Sequence, residues 1–309
     1  MKTRSAFLIP PVALLEALLT TAIWGSSFVV AKVGLRSMGP ITLAGLRYFV
    51  AFLLLAPFLV RRLRSAGWPS PRLLRRLALL GISAYLVGNG SFFIALQVVP
   101  STTVSFLMGL IPILILLGSL LWLKENPTRW QTFGLVISMA GTVLFFLPGM
   151  QANVWRGIPI LGLGILGFGF FGLLSRLMVR ERQVDSLTLT AIPLAVGGAG
   201  LLAVGLPIEG WPQLTPVGLG IVLWLAVINT AIAYLLYNHA LQHMTALQMN
   251  LVLNLAPFVT ALLAMALLGE QLVMLQWAGM VVGTAGVALA QRGRTPPTPS
   301  DTPAPVAGP

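Results

Sequence analysis

Apolar runs of about twenty residues follow one another along almost the whole chain, from Pro11 to Gln291. Short groups of proline, glycine and charged residues separate these runs. An α-helix of about twenty residues crosses a hydrocarbon core roughly 30 Å thick. The punctuation predicts transmembrane helices over residues 11–33, 41–60, 75–97, 101–122, 128–147, 157–179, 187–207, 216–238, 244–267 and 273–291. The sizeable loop in this pattern is Arg61–Arg76.

The second half of this series repeats the first. A shift of 145 residues, without a gap, superposes Gly81–Gly141 on Ala226–Gly286. Each copy holds five predicted helices, an odd number, so the second copy enters the membrane from the opposite side. Inverted repeats of this kind are typical of transporters. The matched pairs include Ala95 and Ala240, Leu96 and Leu241, Gln97 and Gln242, Pro112 and Pro257, Glu125 and Glu270, Gln131 and Gln276, Gly134 and Gly279, and Gly141 and Gly286.

The fold class that follows is an all-α membrane protein of ten transmembrane helices in two inverted five-helix repeats. The repeats occupy residues 11–147 and 157–291. Residues 1–10 form a short N-terminal segment, expected in the cytosol. Residues 295–309 are rich in proline, threonine and alanine, and we expect this tail to be disordered.

Composition and charge agree with a lipid-embedded chain. Of the 309 residues, 57% are hydrophobic and 8% are charged, whereas about one residue in four is charged in a soluble domain. The net charge of +12 does not indicate a nucleic-acid partner, because fifteen of the 19 lysines and arginines fall in the predicted cytosolic segments and four fall elsewhere. This is the positive-inside bias of membrane proteins. The chain has no cysteine, so it offers no disulfide or thiolate metal site.

Polar residues recur on one face of the fourth and ninth helices. Because a proline in a helix donates no backbone hydrogen bond, the carbonyls of Met108 and Leu253 are predicted to lack their usual partner. These carbonyls and the asparagine amides are candidates to bind a solute near the midplane, with the prolines as gates. Alternatively, each proline only kinks its helix, and the amides bond across helices. The residues concerned are Thr102, Ser105, Gly109 and Pro112, and at the repeat-equivalent positions Leu247, Asn250, Asn254 and Pro257.

A second polar cluster is predicted where the third and eighth helices reach the same depth. Tyr85 and Asn89 are four residues apart and superpose on Thr230 and Tyr234. An unpaired amide in hydrocarbon costs several kcal/mol, so such groups are expected to face partners, water or substrate. The first helix adds Trp24, Ser26 and Ser27, for which small-residue packing beside an interfacial tryptophan is the alternative. The complete candidate substrate-binding set is Trp24, Ser27, Tyr85, Asn89, Ser105, Asn229, Tyr234, Asn250 and Asn254.

Motifs for enzyme chemistry or cofactors are absent or out of context. Gly162, Gly164 and Gly167 match a dinucleotide-binding spacing, but they lie within an apolar helical run and are interpreted as packing glycines. His239 and His243 are half of a metal site that no neighbouring residue in the sequence completes. There is no phosphate-binding loop and no nucleophile elbow. We therefore predict neither an enzyme, a cofactor nor a metal.

The acidic residues bear on the energy source. Of the seven, only Glu16 lies within a predicted span. We expect either facilitated diffusion, which needs no carboxylate relay, or proton coupling through Glu16 alone.

The segment Trp24–Lys32, followed by Arg47, resembles the opening of the domain found in the EamA-type drug/metabolite transporter superfamily. The blocks Ile111–Gly134 and Ala256–Gly279 resemble its P…E…Q..G closing pattern. The second copy departs at its start, where Ile192 stands opposite Arg47. The resemblance covers nearly the whole chain and extends to bacterial amino-acid and metabolite exporters.

This resemblance implies a basket of ten helices in the bacterial inner membrane, with both termini cytosolic and a cavity lined by helices 1, 3, 4, 6, 8 and 9. It implies export of amino acids or other metabolites by alternating access, by a monomer or homodimer. The neutral cavity candidates favour a zwitterionic amino acid, including aromatic or bulky apolar ones. Arg47 is expected to extend to the outer interface rather than bind a carboxylate. A non-transporting scaffold or lipid-handling protein, or a membrane enzyme, is the alternative.

Overall fold

The computed structural model describes residues 10–148, 154–269 and 271–292, except 102, 103, 105, 106, 125, 126, 182, 183 and 214. All regular structure in these residues is helical. Ser105, of the candidate site, lies outside the described residues, as do residues 1–9 and the tail 295–309. In chain order the helical segments are α1 (Pro11–Gly34), α2 (Pro40–Ala66), α3 (Pro71–Val98), α4 (Met108–Leu123), α5 (Arg129–Phe146), α6 (Val154–Arg180), α7 (Ser186–Glu209), α8 (Pro216–Ala240), α9 (Ala246–Leu268) and α10 (Met274–Gln291).

The chain is an integral membrane protein. Within the described residues, seven helices are long and apolar enough to cross a bilayer: α1, α2, α3, α6, α7, α8 and α9. Helix α4 and most of α10 are shorter apolar helices. Large apolar side chains on their outer surfaces are exposed, among them Leu121 and Val281. Trp68 and Trp211 lie just beyond helix ends and are also exposed, as in the aromatic belts of membrane proteins. A surface of this kind suits lipid and not water.

The predicted loop Arg61–Arg76 is mostly helical, which corrects the sequence-based boundaries. Helix α2 continues to Ala66 and α3 begins at Pro71. Between them, Gly67 adopts a positive φ of 85°, and the Ser70 hydroxyl accepts a hydrogen bond from the backbone N–H of Leu73. The arginines of this region lie on helix ends, where their side chains reach water.

Glycines bring α5 and α10 into close contact. A Cβ on Gly134 would lie 2.5 Å from the Gly286 carbonyl oxygen, and a Cβ on Gly141 would lie 2.6 Å from that of Gly279. The two helices are therefore antiparallel, and repeat-equivalent glycines take exchanged places in the two contacts. These glycines pack against each other within one chain.

Two helices are locally widened at repeat-equivalent positions. Helix α3 contains a π-helical stretch at Ile82–Asn89, and α8 contains another at Val227–Ile232. A shift of 145 residues places Ile82 on Val227. Such π-bulges displace side chains from the regular helical pattern and are frequent at functional sites.

The proline-containing helices are irregular at the predicted places. In α4, a 3₁₀ turn at Met108–Leu110 precedes Pro112. In α9, the regular helix stops at Leu253 and resumes at Ala256, just before Pro257. The prediction of a free Met108 carbonyl is wrong, because the 3₁₀ turn lets it accept a hydrogen bond from the N–H of Ile111.

Candidate functional site

A central cavity of about 100 Å³ lies among α1, α2, α3, α4, α6, α8 and α9. This volume has room for several water molecules or a small solute group. Both halves of the chain line it. The lining residues are Trp24, Ser27, Phe28, Ala31, Arg47, Asn89, Phe92, Leu96, Met108, Gly109, Ile111, Pro112, Phe168, Phe171, Gly172, Tyr234, Tyr237, Asn250, Leu253, Asn254, Ala256 and Pro257.

Most of the substrate-binding candidates predicted from the sequence line this cavity. Tyr85 and Asn229 are fully buried behind the lining. The residues that line the cavity are Trp24, Ser27, Asn89, Tyr234, Asn250 and Asn254, with both candidate gates, Pro112 and Pro257.

Aromatic rings form one wall of the cavity. The Trp24 ring lies 4.9 Å from that of Tyr234 and 5.4 Å from that of Tyr237, between centroids. Phe171 stacks on Tyr237 at 5.9 Å. Tyr85 supports this wall from behind, 5.3 Å from Tyr234. Tilted rings at these separations attract one another and present faces and edges suited to an apolar or aromatic side chain.

Three asparagine side chains form a polar part of the lining, and the amide nitrogen of each donates a hydrogen bond to another group of the protein. The Nδ2 atoms of Asn89, Asn250 and Asn254 donate to the Ala84 carbonyl, the Ala246 carbonyl and the Ser138 hydroxyl. Asn89 also shares a side-chain hydrogen bond with Tyr234, whereas no described residue donates to Oδ1 of Asn250 or Asn254. The cavity therefore offers the amide oxygens of Asn250 and Asn254 to a solute as acceptors.

The position of Arg47 differs from the sequence-based expectation. The expectation that it extends to the outer interface is wrong, because its side chain is buried and lines the cavity. Its Nε donates to Oγ1 of Thr230 at 2.7 Å, Nη1 to Oγ of Ser27 at 2.7 Å, and Nη2 to the carbonyl of Asn229 at 2.8 Å. Two of these acceptors belong to the π-helical stretch of α8.

Asn229 contributes to the site through its backbone. Its side-chain Nδ2 donates to the Ile23 carbonyl and to the Ser26 hydroxyl, which joins α8 to α1. Its carbonyl oxygen accepts from Arg47 and also from Nε1 of Trp24 at 3.2 Å. Asn229 thus positions two lining residues.

Glu16 lies away from the cavity, on α1. Both oxygens of its carboxylate lie 2.9 Å from Nδ1 of His239 at the end of α8. The centroids of the His239 and His243 rings are 5.8 Å apart. Glu16 is far from the histidines in the sequence, and only the fold brings it to His239. Within the described part of the chain, no three His, Cys, Asp or Glu residues are arranged to hold a metal ion.

Sequence reasoning missed part of the lining. Tyr237 follows Tyr234 by three residues and so shares its helix face, a signal present in the sequence. Phe168 and Phe171 lie on α6, whose apolar sequence does not distinguish the cavity face from the lipid face.

The sequence profile of the EamA-like transporter family matches the chain twice, at residues 12–147 and 155–291. The chain belongs to the EamA-like transporter family. It is therefore a membrane transporter, with a small molecule as its substrate and a lipid bilayer as its surroundings. The tempting glycine motif lies within α6, where Gly164 and Gly167 contact α3, as packing glycines do.

Relatives of this EamA-like protein are named as transporters. It is similar to the uncharacterized inner membrane transporter YedA of Escherichia coli (strain K12), with 29% identity over 88% of each chain. An S-adenosylmethionine/S-adenosylhomocysteine transporter of Chlamydia muridarum is 26% identical over 85% of this chain and 86% of its own. These names indicate transport and not enzymatic activity.

Among the solved structures similar to this EamA-like chain is a crystal structure of a protein that matches it with a TM-score of 0.71. It covers 90% of this chain and 96% of its own, at 18% sequence identity. This likeness establishes the overall fold.

Proposed function

We propose that this EamA-like transporter exports a small neutral or zwitterionic metabolite from the cytosol, with amino acids, including aromatic and bulky apolar ones, as the substrate class. One observation carries the proposal: a single cavity combines an aromatic wall with the amide oxygens of Asn250 and Asn254, to which no described residue donates. An ammonium group donates hydrogen bonds and accepts none, so it suits these amide oxygens. The rings suit the side chain beside it.

The substrate of the Chlamydia relative supports this class. S-adenosylmethionine and S-adenosylhomocysteine, which that protein is named for, both carry an α-amino and an α-carboxyl group. A cavity that binds the α-amino and α-carboxyl groups would suit both proteins, with a different pocket in each for the rest of the solute.

We further propose ten transmembrane helices in two inverted repeats, with both termini in the cytosol of the bacterial inner membrane. The two profile matches, one in each half, support this topology. So do the exchanged glycine contacts of antiparallel α5 and α10, and the π-helical stretches at equivalent positions of α3 and α8. The 15-to-4 distribution of lysine and arginine supports the orientation.

The transport cycle follows from this architecture. The two halves rock about the cavity and expose it to one side of the membrane at a time. The irregular turns before Pro112 and Pro257 act as gates, since a helix without continuous backbone hydrogen bonds bends there at lower cost. Asn250 and Asn254 hold the ammonium group during this motion.

The experiment is a solute screen with the purified full-length protein in liposomes. The vesicles contain equal concentrations of the twenty amino acids, S-adenosylmethionine and S-adenosylhomocysteine, and efflux is measured by mass spectrometry. We expect efflux of a subset rich in aromatic and bulky apolar amino acids, above that of protein-free vesicles. Retention of all these solutes would contradict the proposal.

A further inference from the structure

Arg47 is a buried cation without an anionic partner in the described structure. Its side chain is 4% exposed, and its three hydrogen-bond partners are neutral: Thr230, Ser27 and the Asn229 carbonyl. An isolated charge in a membrane interior is costly, and such residues usually serve a function.

The described carboxylates are all engaged elsewhere. Glu16 contacts His239, Glu181 contacts Arg76, and Asp185 contacts Arg62. Glu209 accepts from the backbone N–H groups of Ile41 and Thr42 at the start of α2. None of these acids lines the cavity, and Arg47 is the single charged residue among the described lining side chains.

The guanidinium retains donors for a ligand. It has five N–H bonds. Three of them are used, one on each nitrogen, so Nη1 and Nη2 each keep one N–H without a partner among the described residues. A carboxylate accepts hydrogen bonds from two guanidinium nitrogens at once.

We propose that Arg47 binds the carboxylate of the transported solute and makes that carboxylate a requirement for binding. This inference rests on the proposed function. The asparagine oxygens bind the ammonium end of the zwitterion, and Arg47 binds its carboxylate end. Ser27, Thr230 and Asn229 hold the guanidinium in place, so it is oriented before the solute arrives. Solutes that keep the amino group and lose the carboxylate meet only the positive charge and are rejected.

The test compares four related compounds on the full-length protein in detergent. L-phenylalanine and 3-phenylpropionate carry the carboxylate, and L-phenylalaninamide and 2-phenylethylamine lack it. Binding is measured by the concentration dependence of the thermal unfolding temperature. We expect the two carboxylates to bind at least tenfold more tightly than the two compounds without one.

Variants identify the residue responsible. Arg47→Gln is expected to remove the difference between L-phenylalanine and its amide, and Arg47→Lys to retain part of it through charge alone. Arg176→Gln is the matched control, since Arg176 is also a buried arginine, donates to the Leu241 carbonyl and does not line the cavity. This control is expected to keep the full difference between acid and amide, even if it unfolds at a lower temperature.

The outcomes separate the two proposals. Equal binding of acid and amide by the wild type, no binding of either carboxylate, or full discrimination by Arg47→Gln would overturn the role of Arg47. Efflux of labelled L-phenylalanine from proteoliposomes is measured in parallel. If efflux occurs without carboxylate selectivity, the assignment of Arg47 fails and amino-acid export stands. If selective binding depends on Arg47 but no amino acid is exported, the reverse holds.

Discussion

Asn254 on α9 donates a hydrogen bond from Nδ2 to Oγ of Ser138 on α5, with 2.6 Å between the two atoms. Both residues are buried, and the bond joins a helix of the second half to one of the first. It fixes the amide so that Oδ1 remains the atom available to a solute.

Asn254→Leu should therefore abolish solute efflux without lowering expression. Leucine has the same number and branching of side-chain heavy atoms, but it supplies no acceptor for the ammonium group. Leaving the Ser138 hydroxyl unpaired costs about 1–3 kcal/mol of stability. Initial efflux rates in proteoliposomes, normalised to reconstituted protein, provide the measurement.

Asn238→Leu is the control for the loss of a buried amide. Asn238 donates to the Thr190 hydroxyl at 2.8 Å and does not line the cavity. This variant should unfold at a lower temperature and still transport. Undiminished efflux by Asn254→Leu would remove that residue from the site.

Trp24 is expected to set the preference for large side chains. Trp24→Ala removes the contacts with Tyr234 and Tyr237 and widens the aromatic wall. Loss of the contact between the Trp24 ring and an aromatic substrate, about 1–1.5 kcal/mol, corresponds to roughly a tenfold rise in KM for such substrates. The exposed Trp211→Ala is the control and should leave KM unchanged. A KM for aromatic substrates that does not change in Trp24→Ala would contradict the assigned wall.

The glycine contacts of α5 and α10 predict a stability effect. In Gly141→Ala the new Cβ would lie 2.3 Å from the backbone nitrogen of Gly283, so the helices must separate. Overpacking of this kind costs about 1–3 kcal/mol. Gly286→Ala, at the repeat-equivalent position, should lower the unfolding temperature similarly.

Gly162→Ala is the matched control, because a Cβ at this position meets no atom within 4 Å. It should leave the unfolding temperature unchanged or raise it slightly, since alanine favours a helix over glycine. Equal unfolding temperatures for all three alanine variants would show that the close helix contact is not present in the membrane protein.

Glu16 is the candidate for proton coupling, and its contact with His239 defines the test. Coupling predicts that an imposed pH gradient changes the wild-type efflux rate, and that Glu16→Gln loses this response while it still exchanges solute at equal pH. His239→Gln removes the histidine but keeps the Glu16 carboxylate, so it distinguishes the roles of the two groups. A wild-type rate that ignores the gradient would leave facilitated diffusion as the mechanism.

Sequence reasoning reached most of the site because polar groups are rare in this chain and so stand out. Asn89, Asn250 and Asn254 were found in this way, as was Trp24. The prolines also marked where α4 and α9 become irregular. These are local signals, and a single sequence contains them.

A sequence does not show which side chains meet between helices, and the wrong predictions concern such contacts. Arg47 was expected at the interface because nothing in the sequence shows that Ser27 and the π-helical stretch of α8 supply acceptors to it. The π-helical stretches themselves contain no proline to announce them. Glu16 and His239 are 223 residues apart, so only the fold brings them together.

The central claim is that the polar side chains of the two halves surround a water-filled cavity that a solute enters. The most direct measurement uses the absence of cysteine from the chain. Asn250→Cys, in the cavity, and the fully buried Leu194→Cys on α7 are treated with a charged, membrane-impermeant thiol reagent in proteoliposomes. We predict that Asn250→Cys is modified, that an exported amino acid slows its modification, and that Leu194→Cys does not react. An unreactive Asn250→Cys in a folded, reconstituted protein would mean a dry interior, as in a scaffold or lipid-handling protein, and would contradict the account.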